Sequence, residues 1–302
     1  MIDKNTIIHS LYTSGHREMW ASIFKKELNA KCEISQLRRF DVFVNLLKAD
    51  KLIVPTLDDD YLLYSIIGIL RSLFGKVTIG LLVAPQRFFS KKFHLKSIIK
   101  RFLFKLNLKF NQFKIFSIVP HKYDLRYKEI SNDWIYDPHL WNLWTEGQPQ
   151  LKSTLLSDNI LFQLKGKKLV IYIGNHQKGL KEFVNFINEN KGIYIGIICS
   201  VLPPEYDELR ISKNFIIINR YITNNELLSL YMITDLVWCK YIKSFDQSSG
   251  IFGYALQTRK KIILREGSYI SILYKDINKI DLENFVFKAY KLTINKIKNA
   301  LK

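Results

Sequence analysis

The amino-acid sequence predicts an α/β protein with two domains, each built on a parallel sheet. Short apolar runs alternate with helix-length amphipathic stretches from end to end, a pattern typical of α/β units. The alternation breaks once, between residues 132 and 149, where three tryptophans stand among Asp, Pro and Gly. A chain of 302 residues is long enough for two domains of ~150 residues. We therefore expect one domain over residues 1–150 and a second over residues 151–302.

The first domain is predicted to contain four strands and three helices. The strands are the apolar runs at residues 6–12, 51–55, 77–84 and 113–119. The helices are the amphipathic stretches at about 17–29, 60–74 and 91–110. A Thr-Ser-Gly turn follows the first strand and a proline ends the fourth, and these residue types favour chain reversal over continued strand.

The second domain is predicted to repeat this alternation. Its strands are the apolar runs at residues 168–173, 193–199, 215–219, 236–238 and 261–264. Its helices lie at 178–189, 225–234 and 250–257, and Thr223 with Glu226 forms an N-cap before the second of them. A polar, lysine-rich helix from about Asp281 closes the chain, and we expect it to pack back on the first domain.

Cysteine content and hydropathy exclude several classes of protein. Three cysteines without CxxC spacing exclude a disulfide framework and a cysteine-rich zinc site, and they fit a reducing compartment. The N-terminus lacks the basic start and the unbroken apolar core of a signal peptide. The longest charge-free apolar stretch, residues 61–70, is about half of the ~20 residues that a membrane-spanning helix needs. We expect a cytoplasmic protein.

The formal net charge of +19 favours anionic partners: nucleic acid, anionic lipid or phosphorylated small molecules. Coding biased towards A and T also raises the lysine content, so the distribution of charge is more informative than its sum. No Asp or Glu occurs between Tyr61 and Tyr123, whereas twelve Lys and Arg lie between Arg71 and Lys122. The first domain therefore contains a segment whose positive charge is not balanced by acidic residues of the same segment.

Ligand-binding residues are expected just after the strands, because open α/β sheets bind ligands at the carboxyl ends of their strands. Gly174 follows the first strand of the second domain, and Lys178 and Gly179 lead into the next helix. A glycine lets a ligand approach the backbone, and a lysine meets a phosphate as a point charge. Arg220 and Tyr221 follow the third strand, where they would bind phosphate and stack on a base. The alternatives are a turn without a ligand, a surface arginine and a core tyrosine.

Ser248, Ser249 and Gly250 open the helix at 250–257. Two hydroxyls and a glycine at a helix N-terminus offer backbone N–H donors and the positive end of the helix dipole, as a diphosphate requires. The alternative is an ordinary serine N-cap.

The order of these features resembles the nucleotide-sugar-binding half of GT-B glycosyltransferases, most closely family 4. The shared elements are Gly174 with Lys178-Gly179, Glu226-Leu227 with Tyr231 and Thr234-Asp235, and Gly250 ahead of the strand at 260–263. The resemblance covers residues 169–267. It implies two Rossmann-like domains whose parallel sheets face a central cleft. It further implies a nucleotide-diphosphate sugar bound by the second domain, a retaining reaction, no cofactor and no metal.

The sequence departs from the family pattern at three places. Asn175 stands where an arginine usually follows the first glycine, and the family's two glutamates around the glycine-led helix are absent. Asp246 precedes that helix, and Tyr254 and Ala255 occupy the second glutamate's place. The second glutamate normally holds the ribose hydroxyls, so nucleotide recognition is expected to differ. Glu266, just after the next strand, is the substitute candidate.

Catalytic candidates in the first domain are His16, Asp58 and Asp59. Gly15 and His16 follow the first strand, where the family has a glycine-containing loop that faces the donor phosphates. Asp58, Asp59 and Asp60 follow the second strand, and three clustered carboxylates provide a general base whose pKa mutual repulsion raises. The alternative is an acidic N-terminus for the helix that follows.

The helix at 91–110 is basic and amphipathic. Its apolar residues at helical spacing are Leu95, Ile98, Ile99, Phe102, Leu106 and Phe110. Its basic residues, with Arg87 ahead of the helix, are Lys92, Lys96, Lys100, Arg101, Lys105 and Lys109. Such a helix fits anionic lipid headgroups. The alternative is a helix packed on the core with a solvated lysine face.

Together with the basic helix, the resemblance implies transfer of a sugar from a nucleotide-diphosphate donor to a lipid-linked or polysaccharide acceptor in capsule, O-antigen or lipopolysaccharide synthesis. The enzyme would work at the inner face of the cell membrane. The alternatives are a non-catalytic glycosyltransferase-like subunit and a nucleic-acid-binding protein. The sequence contains no helix-turn-helix, zinc or RNP-like motif, so nucleic acid is not the expected partner.

Overall fold

The computed structural model describes residues 6–11, 16–35, 40–89, 94–145, 151–164 and 166–302. Contacts divide the chain into two compact units. The first unit comprises Met1–Pro138 together with Phe287–Lys302, and the second comprises His139–Val286.

The first unit is built on a six-stranded parallel sheet with the strand order β2-β1-β3-β4-β5-β6. Its strands are β1 (Thr6–Ser10), β2 (Lys31–Ile34), β3 (Lys51–Val54), β4 (Val77–Leu82), β5 (Phe113–Ser117) and β6 (Asp133–Trp134). Its helices are α1 (His16–Leu28), α2 (Phe40–Lys48), α3 (Tyr61–Leu73) and α4 (His94–Asn107). Fully buried side chains from the sheet and these helices form its core: Leu46, Leu52, Val54, Ile67, Leu82, Phe104, Phe113 and Ile115.

A buried arginine ties several connections of the first unit together. Arg71 of α3 has no exposed surface. Its Nε donates to Thr78 Oγ1 at 2.8 Å, Nη1 donates to the carbonyl of Ala49 at 2.7 Å, and Nη2 donates to the carbonyl of Val77 at 2.7 Å. Because it satisfies carbonyls at the end of α2 and at the start of β4, this guanidinium joins α2, α3 and β4.

The second unit is built on a five-stranded parallel sheet with the order β11-β10-β7-β8-β9. Its strands are β7 (Lys168–Ile173), β8 (Tyr194–Cys199), β9 (Phe215–Ile218), β10 (Leu236–Cys239) and β11 (Lys261–Leu264). Its helices are α5 (Leu155–Phe162), α6 (Leu180–Glu189), α7 (Asn224–Ile233), α8 (Gly250–Gln257) and α9 (Tyr269–Ile277). Phe183 of α6 meets Trp238 of β10 edge to face, with 5.5 Å between ring centroids, at the centre of its core.

The last helix, α10 (Leu282–Ala300), begins in the second unit and ends in the first. Tyr290 donates its hydroxyl hydrogen to Glu27 Oε2 at 2.6 Å, and Lys296 donates to Asp133 Oδ1 at 2.8 Å. The C-terminal part of α10 is therefore tied to both α1 and β6.

The predicted α/β class with two parallel sheets is confirmed. The strands expected at 168–173 and 261–264 and the helix expected at 250–257 have the observed bounds. The sequence analysis missed β2, β6 and α2 in the first unit, where it expected four strands and the described residues form six, and it missed α5 and α9 in the second unit. Within the described ranges, no helix combines the length and the hydropathy that a transmembrane span requires.

Candidate functional site

The strand order of the second unit changes direction between β7 and β10. Along the chain, β8 and β9 are added on one side of β7, whereas β10 and β11 lie on its other side. Connections leaving neighbouring strands diverge at such a point and open a crevice at the carboxyl ends of the strands. The residues that follow β7 and β10 therefore border the expected ligand position of this sheet.

A tight turn follows β7 and brings Lys178 back over the strand end. Gly174 has φ 111° and Gly179 has φ 117°, in the left-handed region that favours glycine. Between them, Asn175 Oδ1 accepts a hydrogen bond from the N–H of Gln177 at 2.8 Å. As a result, a Cβ placed on Gly174 would lie 3.9 Å from Lys178 Nζ. The ammonium group thus lies directly beside the backbone at which a ligand would enter.

A tyrosine connects this lysine to the start of α8. Lys178 Nζ lies 5.6 Å from the ring centroid of Tyr241, and the Tyr241 hydroxyl lies 2.9 Å from Ser249 Oγ. Ser249 is the N-cap of α8, because its Oγ also accepts the N–H of Phe252 at 3.3 Å. The structure therefore brings Gly174, Lys178 and Ser249 together around Tyr241. Sequence reasoning missed Tyr241, since nothing in its neighbourhood distinguishes it from a core tyrosine.

His139 packs against the N-terminal turn of α8. A Cβ on Gly250 would lie 2.8 Å from two atoms of the His139 ring, and a Cβ on Gly253 would lie 2.7 Å from its carbonyl carbon. Gln257 Nε2 donates to the same carbonyl oxygen at 2.6 Å. The His139 ring therefore fills the space next to Gly250 in which a Cβ would lie. A diphosphate role for Ser248, Ser249 and Gly250 stays a prediction.

A pocket of about 390 Å³ opens at the carboxyl ends of β7, β8 and β9. Its lining residues are Ile173, Gly174, Asn175, His176, Cys199, Ser200, Val201, Arg220, Tyr221 and Ile222. It is mixed in character, with aliphatic walls and a few polar groups, as binding sites for small organic molecules usually are. Burial raises the pKa of the Cys199 thiol to about 12, so this thiol stays protonated at physiological pH.

Arg220 reaches the pocket but is already paired. Its Nη1 and Nη2 donate to the two carboxylate oxygens of Glu226 at 3.1 and 2.6 Å. Glu226 also accepts the N–H of Thr223, whose hydroxyl accepts the N–H of Glu226 in return, which confirms the predicted N-cap as a capping box. The hydrogen bonds from Arg220 and Thr223 lower the pKa of Glu226 to about 2. Beside it, Tyr221 is 93% exposed and offers a free ring face at the pocket.

The acidic candidates of the first unit follow β3. Asp58 Oδ1 accepts the N–H of Val83 at 3.1 Å, and its Oδ2 accepts the N–H of Ala84 at 3.0 Å. Burial raises the pKa of Asp58, and these backbone donors oppose the rise. Asp58 therefore holds the end of β4 next to the end of β3, whereas Asp59 is half-buried beside it. Asp60 is the N-cap residue of α3.

Of the two histidines near the end of β1, the structure describes the side chain of His9 but not that of His16. Gly15 and the side chain of His16 lie outside the described residues. His9 of β1, which the sequence analysis did not single out, is fully buried, with Nδ1 2.8 Å from the Tyr64 hydroxyl and Nε2 3.1 Å from Ser35 Oγ. Burial lowers the pKa of His9 to about 4, so the ring is neutral near pH 7.

The basic candidates lie on and before α4. Lys92 and the side chain of Lys96 are outside the described residues, and Arg87 is exposed. Lys100 Nζ lies 4.5 Å from the ring centroid of Tyr61, and the Arg101 guanidinium lies 5.2 Å from that of Phe89. Both cations therefore rest on aromatic faces of their own unit.

Comparison with solved structures places the fold. The chain is similar to α,α-trehalose 6-phosphate synthase from Burkholderia multivorans, with 8% identity, a TM-score of 0.57 and coverage of 96% of this chain and 90% of that one. It is similar to the UDP-forming synthase from Burkholderia xenovorans, with 9% identity, a TM-score of 0.58 and 99% coverage of both chains. The wall teichoic acid polymerase TagF, determined with CDPG, matches with 12% identity, a TM-score of 0.51 and coverage of 97% and 85%. The chain has the GT-B fold. No protein-family model and no curated protein matches it.

The acidic residues closest in sequence to α8 and β11, Asp246 and Glu266, differ in what they contact. Asp246 forms an ion pair with Arg265, 2.9 Å between Oδ2 and Nη2, and its Oδ1 accepts the N–H of Tyr269 at 2.8 Å. Arg265 Nε donates in turn to the carbonyl of Tyr241 at 3.0 Å. Asp246 thus connects the loop before α8 to the start of α9. Glu266, the substitute candidate for the ribose hydroxyls, is exposed after β11. In the described part of this GT-B chain, no three His, Cys, Asp or Glu side chains cluster as a metal site would require.

Proposed function

We propose that the chain is a glycosyltransferase that moves a sugar from a nucleotide-diphosphate donor to a lipid-linked or polysaccharide acceptor in cell-surface glycan synthesis. The observation that carries this proposal is the placement of Lys178 beside Gly174 and the pocket, at the direction change of a GT-B sheet. Similar solved structures include a UDP-forming synthase and a wall teichoic acid polymerase, which supports a nucleotide-activated donor.

In this proposal the nucleoside lies in the pocket after β7–β9 and the diphosphate extends towards Lys178. Tyr221 stacks on the base with its exposed ring. The bond between the anomeric carbon and the diphosphate oxygen breaks, and that oxygen keeps the electron pair. The ammonium group of Lys178, which is partly buried, stabilises the charge that develops there. The acceptor hydroxyl bonds to the anomeric carbon and gives its proton to the leaving phosphate, with retention and without a metal.

The test is thermal stabilisation of the whole chain by UDP, GDP, CDP and ADP, compared with Lys178→Ala and Tyr221→Ala. A ligand at a hundred times its Kd adds about 2.7 kcal/mol to the free energy of unfolding. We expect one nucleotide to stabilise the wild type selectively, with a smaller effect in both variants. Phe162→Ala is the matched control, because Phe162 is also 93% exposed but lies on α5, outside the pocket. No stabilisation by any nucleotide would overturn the proposal.

A second candidate is a non-catalytic glycosyltransferase-like subunit that folds without binding a donor. It is favoured by two specific contacts: the His139 ring against Gly250 and the pairing of Asp246 with Arg265. The stabilisation test separates the candidates, because the subunit is expected to show no shift with any nucleoside diphosphate. Slow release of free sugar from a nucleotide sugar, abolished by Lys178→Ala, further supports the enzyme, whereas a folded protein that no nucleotide stabilises supports the subunit.

A further inference from the structure

The helix α4 turns its apolar stripe towards solvent. Leu95 is 72% exposed and Phe102 is 65% exposed, and Ile98 and Ile99 are each close to half exposed. The opposite side of the helix, which faces the rest of the unit, buries Ser97, Phe104 and Asn107. The sequence alternative in which the stripe packs on the core is therefore wrong for these four residues, since the core side is carried mainly by Phe104.

The neighbouring helix α3 extends this apolar character. Asn107 Nδ2 donates to Ser65 Oγ of α3 at 2.8 Å, which holds the two helices side by side. On α3, Leu62, Ile66 and Leu73 are 48%, 41% and 68% exposed. At 100° per residue these three fall within one narrow stripe of the helix. The α3–α4 apolar surface is defined here as Leu62, Ile66, Leu73, Leu95, Ile99 and Phe102. Exposed apolar clusters of this kind mark interaction sites in soluble proteins.

All charged side chains in the segment that carries this surface are basic. Residues 61–123 contain no Asp or Glu. A carboxylate near α4, Glu129, is neutralised by Lys105 at 2.9 Å, and Asp124 is held by Arg126 at 2.7 Å. Arg87 and Lys109 are exposed in the same segment. Positive charge next to exposed Leu, Ile and Phe complements a surface that is apolar inside and anionic at its rim.

We propose that the α3–α4 apolar surface docks on an anionic lipid bilayer. Leu95 and Phe102 enter the boundary of the acyl chains, while Lys109 and Arg87 meet the phosphate headgroups. A second copy of the chain is the less favourable occupant, because it would bring the same positive charge to the contact. A nucleic acid would satisfy the cations but would leave the Leu and Phe side chains in water. This inference concerns the first unit and does not depend on the donor site.

Co-sedimentation of the full chain with vesicles tests the proposal. We expect binding to phosphatidylglycerol–phosphatidylethanolamine vesicles, weak binding to phosphatidylcholine, and a decrease with added salt, because the Debye length is only ~10 Å at 0.1 M. The Leu95→Ser/Phe102→Ser variant is expected to lower the bound-to-free ratio about tenfold or more, since two large apolar side chains no longer leave water. Arg87→Gln/Lys109→Gln is expected to lower it by about fivefold for each cation removed.

The matched control is Leu155→Ser/Phe162→Ser, which removes a leucine and a phenylalanine of similar exposure, 78% and 93%, from α5. It should bind vesicles as the wild type does. Nucleotide stabilisation should be unchanged in Leu95→Ser/Phe102→Ser, which separates a failure here from a failure of the donor site. The proposal would be overturned if Leu95→Ser/Phe102→Ser bound anionic vesicles as well as Leu155→Ser/Phe162→Ser does. It would also be overturned if the wild type bound neutral and anionic vesicles equally well. The proposal would also be overturned if the wild type formed a dimer in solution and bound no vesicles, and if Leu95→Ser/Phe102→Ser were monomeric.

Discussion

The imidazole ring of His139 occupies the space in which a Cβ of Gly250 would lie, 2.8 Å from two ring atoms. His139 follows the first unit directly, and its ring also meets Tyr254 of α8 edge to face, with 5.6 Å between centroids. The start of the second unit is therefore fixed to α8 through contacts that only a glycine at position 250 permits.

This contact predicts a non-additive effect on stability. Gly250→Ala should lower the free energy of unfolding by about 1–3 kcal/mol, because the added methyl group forces the ring to move. In a His139→Ala background most of this cost should disappear. Gly253→Ala should be harmful in both backgrounds, since its Cβ would meet the backbone carbonyl of His139, which the substitution keeps. Urea unfolding of the single and double variants measures the coupling energy. Additive effects of Gly250→Ala and His139→Ala would contradict the packing described.

His9 predicts loss of stability in mild acid. Its pKa is about 4 in the folded protein and 6.5 ordinarily, so between these values the unfolded chain binds a proton that the folded chain does not. Stability is therefore fully present above pH 6.5 and falls as the pH is lowered towards 4. Between pH 7.5 and 5, this one group should cost about 2 kcal/mol.

Urea titrations at the two pH values, in parallel with His9→Gln, measure the effect of His9. The glutamine does not titrate, so the variant should lose less stability on acidification than the wild type does. An identical pH dependence in the two proteins would show that His9 is not buried in its neutral form.

Arg71 predicts a large penalty for removing a buried cation. Arg71→Met should lower the free energy of unfolding by about 3 kcal/mol or more, because the carbonyls of Ala49 and Val77 and the hydroxyl of Thr78 lose their donor. Arg210→Met is the control, as Arg210 pairs with an aspartate at the surface and should change stability by less than about 1 kcal/mol. Chemical denaturation of both variants measures the two changes in the free energy of unfolding. Equal losses would argue against the hydrogen bonds described for Arg71.

The ion pair between Arg220 and Glu226 predicts how the pocket responds to charge. Glu226→Gln releases the guanidinium towards the pocket and should raise the affinity for the stabilising nucleoside diphosphate by up to about fivefold. Arg220→Gln should lower that affinity, whereas Arg210→Gln should not. Isothermal titration at pH 7.5 measures all three. An unchanged Kd in Glu226→Gln would mean that Arg220 does not reach the ligand.

In the second unit, α5 and α9 were missed although Thr154 and Ser268 cap them. The rest of this unit was predictable from the sequence, because its strands are apolar runs and two of its other helices begin at clear caps. Thr223 with Glu226 and Ser249 are such caps, and the elements they begin were placed within one residue of their observed start. β2 was missed because a strand of four residues with two exposed positions at a sheet edge has no apolar run. α2 escaped detection for the opposite reason: its apolar residues, with two valines among them, do not distinguish a short helix from a strand.

The site was predictable only in part. Glycine and lysine after a strand are visible as a local pattern, so Gly174 and Lys178 were found. The bridging role of Tyr241 and the burial of His9 depend on partners distant in the chain, such as Tyr64, and leave no local signal. Periodicity likewise identified the apolar stripe of α4, but a period carries no information on which side of the helix faces the core.

The path of α10 sets the order in which the two units can be completed during synthesis. The second unit is continuous from His139 to Val286, whereas the first needs both the start of the chain and Phe287–Lys302. The amino-terminal part emerges from the ribosome first, yet the contacts of Tyr290 with Glu27 and of Lys296 with Asp133 form only when the last helix is released. Domains of most nascent chains fold from the N-terminus onward. Here the unit that begins first is closed last, and until then the α1 and β6 surfaces that receive α10 stay open to the cell's chaperones and proteases.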